Sequence, residues 1–99
     1  MTIDDLRRRI DQLDERLVEL LNERAHCALE IGKLKKTLGL EVYQPDREAE
    51  VLHHVRSHGK QTGSPLEGDA IVRVFERIID EARRIERATA HNPAGNGED

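Results

Sequence analysis

Aromatic residues are almost missing from this chain of 99 residues: Tyr43 and Phe75 are its only two, and tryptophan is absent. A core without large rings must be aliphatic, and Leu, Ile, Val and Ala recurring at helical spacing supply one, which makes this an all-helix composition. Cysteine is nearly absent too. Cys27 stands alone, so there is no disulfide framework, and its place on an apolar helical seam reads as a small buried hydrophobe. No apolar run approaches the roughly 18 residues of a membrane span, and the opening Thr2-Ile3-Asp4-Asp5 lacks the basic and apolar parts of a signal sequence. A soluble, cytoplasmic protein is expected. Positive charge is not in excess: the formal net charge is −4 and the pI about 5.7, which gives no general attraction to nucleic acid or to an anionic membrane. A glycine-rich phosphate loop is also lacking, since Gly59 and Gly63 read as helix punctuation. His54 and His58 have the i, i+4 spacing of a metal pair without a third ligand, so no metal is expected. His26 beside Cys27 makes no nucleophilic pair, because adjacent helical positions point different ways.

What the chain does have is charge and regular spacing. Apolar and charged residues each make up 36% of it, so nearly every apolar side chain is needed for packing. From Ile3 to Leu38 an apolar residue recurs at alternating steps of three and four, through Leu6, Ile10, Leu13, Leu17, Leu20, Cys27, Ile31 and Leu34, with one break at Arg24. This pattern predicts a single helix over about residues 3 to 38, opened by a capping box of Thr2 and Asp5 and closed by Gly39. Pro45 suits the first position of a second helix running to about His58, with Asp46 and Glu48 in its first turn. Ser64-Pro65-Leu66-Glu67 reads as the start of a third, over about 65 to 89, whose apolar stripe runs through Ile71, Val74, Phe75, Ile78, Ile79, Ala82 and Ile85. Residues 1 to 90 then form one domain, and 91 to 99 form a polar tail with nothing to bury, expected to be disordered.

The first helix would be roughly 54 Å long, whereas a compact domain of this size has a radius of gyration of about 13 Å. Its own chain cannot cover it. A second copy is the simplest cover, which predicts a homodimer packed across a two-fold axis.

Charges on apolar faces are the candidate functional residues. Arg24 interrupts the seam, and a guanidinium there costs stability unless something anionic meets it. Lys35 lies near the same edge about 16 Å further along the axis, close enough for two long side chains to converge on one small anion. Arg7 is about 25 Å from Arg24 on the same helix, so only an antiparallel partner helix brings it to that anion. Arg47 and Glu48 open the second helix, and Glu86 takes a stripe position on the third. Glu86 can act as donor or acceptor, since apolar neighbours favour its protonated form and cations its ionised form. Singly, each of these charges has a plain structural reading as a register device, a snorkelling side chain or a helix-start charge. Together they put a misplaced charge on every helix.

Leu6-Arg7-Arg8-Arg9-Ile10-Asp11 through Leu13-Asp14, Leu20-Leu21-Asn22-Glu23-Arg24, Ile31-Gly32-Lys33-Leu34-Lys35 and Val42-Tyr43-Gln44-Pro45-Asp46-Arg47-Glu48, in this order, resemble the all-helical class of chorismate mutases. The resemblance spans about residues 3 to 88, and the Gly-Lys-x-Lys and Pro-x-Arg-Glu runs are its most specific parts. It implies an intertwined dimer of three-helix protomers with two equivalent sites. In that family, residues matching Arg24 and Arg47, with Arg7 from the other protomer, hold the two carboxylates of chorismate. The residue matching Lys35 meets a carboxylate and the ether oxygen, and those matching Gln44 and Glu48 meet the ring hydroxyl region. Glu86 falls where many members have glutamine and some glutamate, facing the ether oxygen; Ala82 falls where some have a serine that touches substrate. The implied reaction, chorismate to prephenate in phenylalanine and tyrosine synthesis, is a pericyclic rearrangement that needs no cofactor. Two alternatives stay open on sequence: an isochorismate pyruvate-lyase on the same fold, and a non-catalytic helical dimerisation module in which Arg24 only fixes register.

Overall fold

Three helices make up the chain in a computed structural model that describes residues 1–59 and 65–90. They are α1 (Ile3–Leu38), α2 (Pro45–Gly59) and α3 (Asp69–Ala90), and no strand occurs among the described residues. The expected polar tail, and Gly63 and Ser64 of the second connection, lie outside the described residues.

α1 has the bounds that its seam predicts because both its ends are fixed by local chemistry. At the start, Thr2 Oγ1 accepts from the Asp5 amide at 3.1 Å while Asp5 accepts from the Thr2 amide at 3.0 Å, a reciprocal capping box. The bond from the Thr2 amide, reinforced by Arg8, holds the Asp5 carboxyl below its ordinary range. At the other end Gly39 adopts a left-handed φ of 72°. Its amide reaches Lys36 O, and the Leu40 amide bonds Lys35 O at 2.8 Å, so a Schellman motif stops the helix at Leu38, with Lys35 and Lys36 in its last turn.

α2 begins at Pro45, where the missing N–H costs nothing, and the Glu48 amide bonds Gln44 O at 3.1 Å. It runs through Gly59 rather than stopping before it. α3 starts at Asp69, four residues later than the Ser64-Pro65 signature suggests. Gly68 is the reason: its φ of 58° lies in the left-handed region, so the chain turns there before the helix propagates, with the Val72 amide on Gly68 O. Arg56 of α2 bonds Asp69 at 2.7 Å, tying the end of one helix to the start of the next and holding the Asp69 carboxyl below its ordinary range.

α3 packs against both other helices, whereas α1 and α2 do not pack on each other among the described residues. The chain is therefore thin. Its extents are 53 × 31 × 14 Å, with a radius of gyration of 17.0 Å, so the smallest dimension is little more than the ~10–12 Å diameter of one helix. A single layer of helices buries little: Ala28, Gly32 and Ile79 are the buried residues among those described, and the seam of α1 is open, with Ile3 67%, Leu17 54% and Leu34 60% exposed. Cys27, read from the seam as buried, is exposed for the same reason, because none of the described residues covers that edge.

Candidate active site

The gap left between α1 and α2, floored by α3, is a cleft of about 460 Å³, within the range of small-molecule sites. Its polar centre is built from Lys35, in the last turn of α1, and Glu86, in the last turns of α3. Lys35 Nζ donates to Glu86 Oε1 at 2.7 Å and to the Val42 carbonyl oxygen at 2.8 Å. Both side chains are nearly enclosed, at 12% and 13% exposed, which makes this the most sheltered ion pair among the described residues. Gly32 permits it. A Cβ at that position would sit 3.1 Å from the Glu86 Cα and push it back by a few tenths of an ångström, so glycine lets α3 approach α1 at the distance that brings Glu86 to Lys35.

Arg24 and Arg47 line the same cleft from α1 and α2, as do Gln44, Glu48 and Ala82. Seven of the eight residues singled out in the sequence are thus brought together. Arg7 is not; it sits on the exposed N-terminal half of α1 and does not line the cleft. Arg24 has no ion-pair partner among the described residues, and Arg47 has only an exposed contact to Glu50 at 3.3 Å on its own helix. Both guanidinium groups are therefore available to an anion. Cys27 also lines the cleft, but no histidine does, so the thiol has no base of the kind a nucleophile needs there.

Arg83 is the residue that sequence reasoning missed. Its Nη2 donates to Glu48 Oε1 at 2.6 Å and its Nε to Glu48 Oε2 at 3.2 Å, forming a two-pronged bridge from α3 to α2. Its Nη1 bonds Asp80 at 3.1 Å, and its guanidinium lies 5.3 Å from the centre of the Tyr43 ring. The bond to Glu48, stronger than the opposing cost of burial, pushes the Arg83 pKa still higher. Position 83 follows the stripe residue Ala82 and so looks like a solvated neighbour, but it is four residues after buried Ile79 and three before Glu86, a spacing that places it on the cleft face. With Arg83 included, four cations face two carboxylates, Glu48 and Glu86, which leaves an excess of two positive charges to meet a dianion.

His54 and His58 stack with ring centres 6.3 Å apart on α2, away from the cleft lining. Among the described residues no group of three side chains is placed to hold a metal, and no helix is long and apolar enough to cross a membrane.

The family model for chorismate mutase type II matches residues 6–87, most of the described chain. The chain belongs to this family. Among relatives of this chorismate mutase domain, a bifunctional chorismate mutase/prephenate dehydratase of Pseudomonas aeruginosa is 40% identical over 87 residues, covering 83% of this chain and 23% of that protein. A protein of the same description from Aquifex aeolicus is 33% identical over 84 residues, covering 84% of this chain and 23% of its own length. The T-protein of Enterobacter agglomerans is 36% identical over 77 residues, or 78% of this chain and 20% of the relative. The chain thus spans about a quarter of the length of the curated relatives it matches. A chorismate mutase (form II) of Thermus thermophilus has the same fold, with a TM-score of 0.79 at 30% identity, covering 86% of this chain and 93% of the other.

Proposed function

We propose that the domain isomerises chorismate to prephenate, working as a homodimer whose two clefts are each completed by Arg7 of the second chain. The observation that carries the reading is the cationic surplus of the cleft: Arg24, Lys35, Arg47 and Arg83 outnumber Glu48 and Glu86 around one sheltered Lys35–Glu86 pair, before Arg7 of the second chain is added, a surplus suited to a dianionic substrate.

The rearrangement breaks the ether bond as a carbon–carbon bond forms within the same molecule, so the protein has to fold the substrate and stabilise charge rather than supply a nucleophile. Arg24 and Arg47, with Arg7 of the second chain, clamp the carboxylates and hold the enolpyruvyl group over the ring. Lys35 has three N–H donors, of which Glu86 and the Val42 carbonyl take two. The third meets the ether oxygen as negative charge grows on it. Glu86 helps from the other side only when its carboxyl carries a proton, because the ionised form would set like charge beside that oxygen. Gln44 and Glu48 face the ring hydroxyl, and Ala82 provides an apolar wall.

The homodimer is supported by the open seam of α1, by the thinness of the single layer and by a second groove between α1 and α3, walled by Leu17, Leu21, Val74, Ile78 and Ile85. Incubation of the purified protein with chorismate and, separately, with isochorismate tests the activity. Prephenate from chorismate is expected. Salicylate from isochorismate with no prephenate from chorismate would replace this reading with the lyase, and no product from either would leave a dimerisation module.

A further inference from the structure

We propose that Arg83 is a positioning residue of this site, fixing the orientation of the Glu48 carboxylate that receives the substrate's ring hydroxyl. The inference rests on the chorismate reading of the cleft, since that reading gives Glu48 its task.

Glu48 lies in the first turn of α2, a helix that does not pack on α1 among the described residues and meets the rest of the chain through α3. A glutamate on such an element has several rotamers open to it unless something holds it. Arg83 does so from α3 with two roughly parallel bonds, at 2.6 and 3.2 Å, in the planar fork geometry that sets direction as well as distance. The pair is only 22% and 24% exposed, so water screens it less than the surface pairs of the chain. Asp80, one turn back on α3, orients the guanidinium itself, and the Tyr43 ring covers one of its faces. Three of the five N–H donors of Arg83 are thus committed to protein carboxylates. The residue is built to hold Glu48 rather than to join Arg24 and Arg47 in clamping substrate. Each Glu48 oxygen, having accepted one bond from Arg83, keeps a lone pair directed elsewhere, and that is what a ring hydroxyl donates to.

A positioning role acts through Glu48, and kinetics on wild type, Arg83→Met, Arg83→Lys, Glu48→Gln and the Arg83→Met/Glu48→Gln double variant separate it from a structural one. Arg83→Met keeps the apolar stem and removes the fork. Losing an acceptor that grips the ring hydroxyl equally in ground and transition states should raise KM about tenfold and change kcat less than about threefold. Glu48→Gln, whose amide offers the fork one oxygen in place of two and turns a donor toward the guanidinium, should raise KM likewise, and Arg83→Met in that background should add less than about twofold, because the carboxylate that the fork grips has gone. Arg83→Lys, a point charge without the fork, should not restore the wild-type KM. A structural role predicts lower melting temperatures and less active protein at unchanged KM. Unchanged KM in Arg83→Met and Arg83→Lys, or losses that multiply independently in the double variant, would overturn the inference. If Arg83→Met does not fold, Arg83→Lys and its combination with Glu48→Gln carry the same comparison. A wild type inert toward chorismate would overturn the functional reading itself, an outcome distinct from an active wild type whose variants show no coupling.

Discussion

Lys35 and Arg24 differ in what their removal leaves behind. Arg24 has no ion-pair partner among the described residues, so Arg24→Ala orphans nothing and should leave helix content intact while lowering turnover of chorismate about 100-fold or more. Lys35→Ala should lose activity comparably but also strand the Glu86 carboxylate in its sheltered position, at a cost of about 1–3 kcal/mol. Adding Glu86→Gln to Lys35→Ala should recover the melting temperature without recovering turnover, and recovery of both would show that Lys35 serves the fold. Glu86 alone calls for a neutral donor in its place. If a carboxyl proton is what reaches the ether oxygen, Glu86→Gln should keep turnover while Glu86→Ala loses about tenfold or more; equal losses in both would mean that Glu86 supplies no donor. Arg24 and Glu86 are legible in the sequence because each interrupts an apolar pattern, and Lys35 because it borders the seam near the edge that Arg24 occupies. Arg83 is not, because it lies one step off the stripe and takes its meaning from Glu48, 35 residues away in the chain.

Helix ends show where local sequence suffices. Both ends of α1 are set by residues within a few positions, Thr2 with Asp5 and Gly39 with Lys35 and Lys36, and its expected and observed bounds coincide. The start of α3 instead depends on Gly68 turning left-handed, a conformation glycine permits but does not announce, so the helix begins beyond its apparent signature. Gly32 is a subtler case, a glycine within a helix whose value lies in the helix it meets. Gly32→Ala should gain about 1 kcal/mol of helix propensity and lose about 1–3 kcal/mol to the crowding of the Glu86 backbone. The melting temperature should therefore fall, by up to roughly 15 °C. Because Glu86 is the group displaced, turnover should fall about tenfold or more. Thermal melts and rates on the same preparation check this, and unchanged turnover would mean that α3 accommodates the methyl without shifting Glu86.

At the scale of the molecule, one layer of helices cannot enclose a core, and that α1 outruns the cover its own chain can give was legible from helix length alone. What length does not reveal is how two copies would share their sites. If Arg24 of one chain works with Arg7 of the other, Arg7→Ala and Arg24→Ala proteins, each nearly inactive, should complement when mixed and allowed to exchange subunits. Equal mixing makes half the dimers mixed with one intact site in each, so about a quarter of wild-type activity should return. Verified heterodimers without that recovery would place Arg7 outside the site.

The 14 Å thickness of the chain also bears on how its activity scales with amount. If, as proposed, the chain works as a homodimer, a sheet of helices this thin gains its interior by meeting another, and folding and encounter become a single event governed by mass action. Rate per molecule should then hold constant at high concentration and decline on dilution, approaching proportionality to concentration as dimers dissociate. A cell holding few copies would have less than its share of activity, and a small rise in synthesis would return more than a small rise in flux. Rates measured over a dilution series, beside sedimentation of the same samples, would show the decline and the dissociation together, whereas a constant specific rate through dissociation would make the lone chain competent.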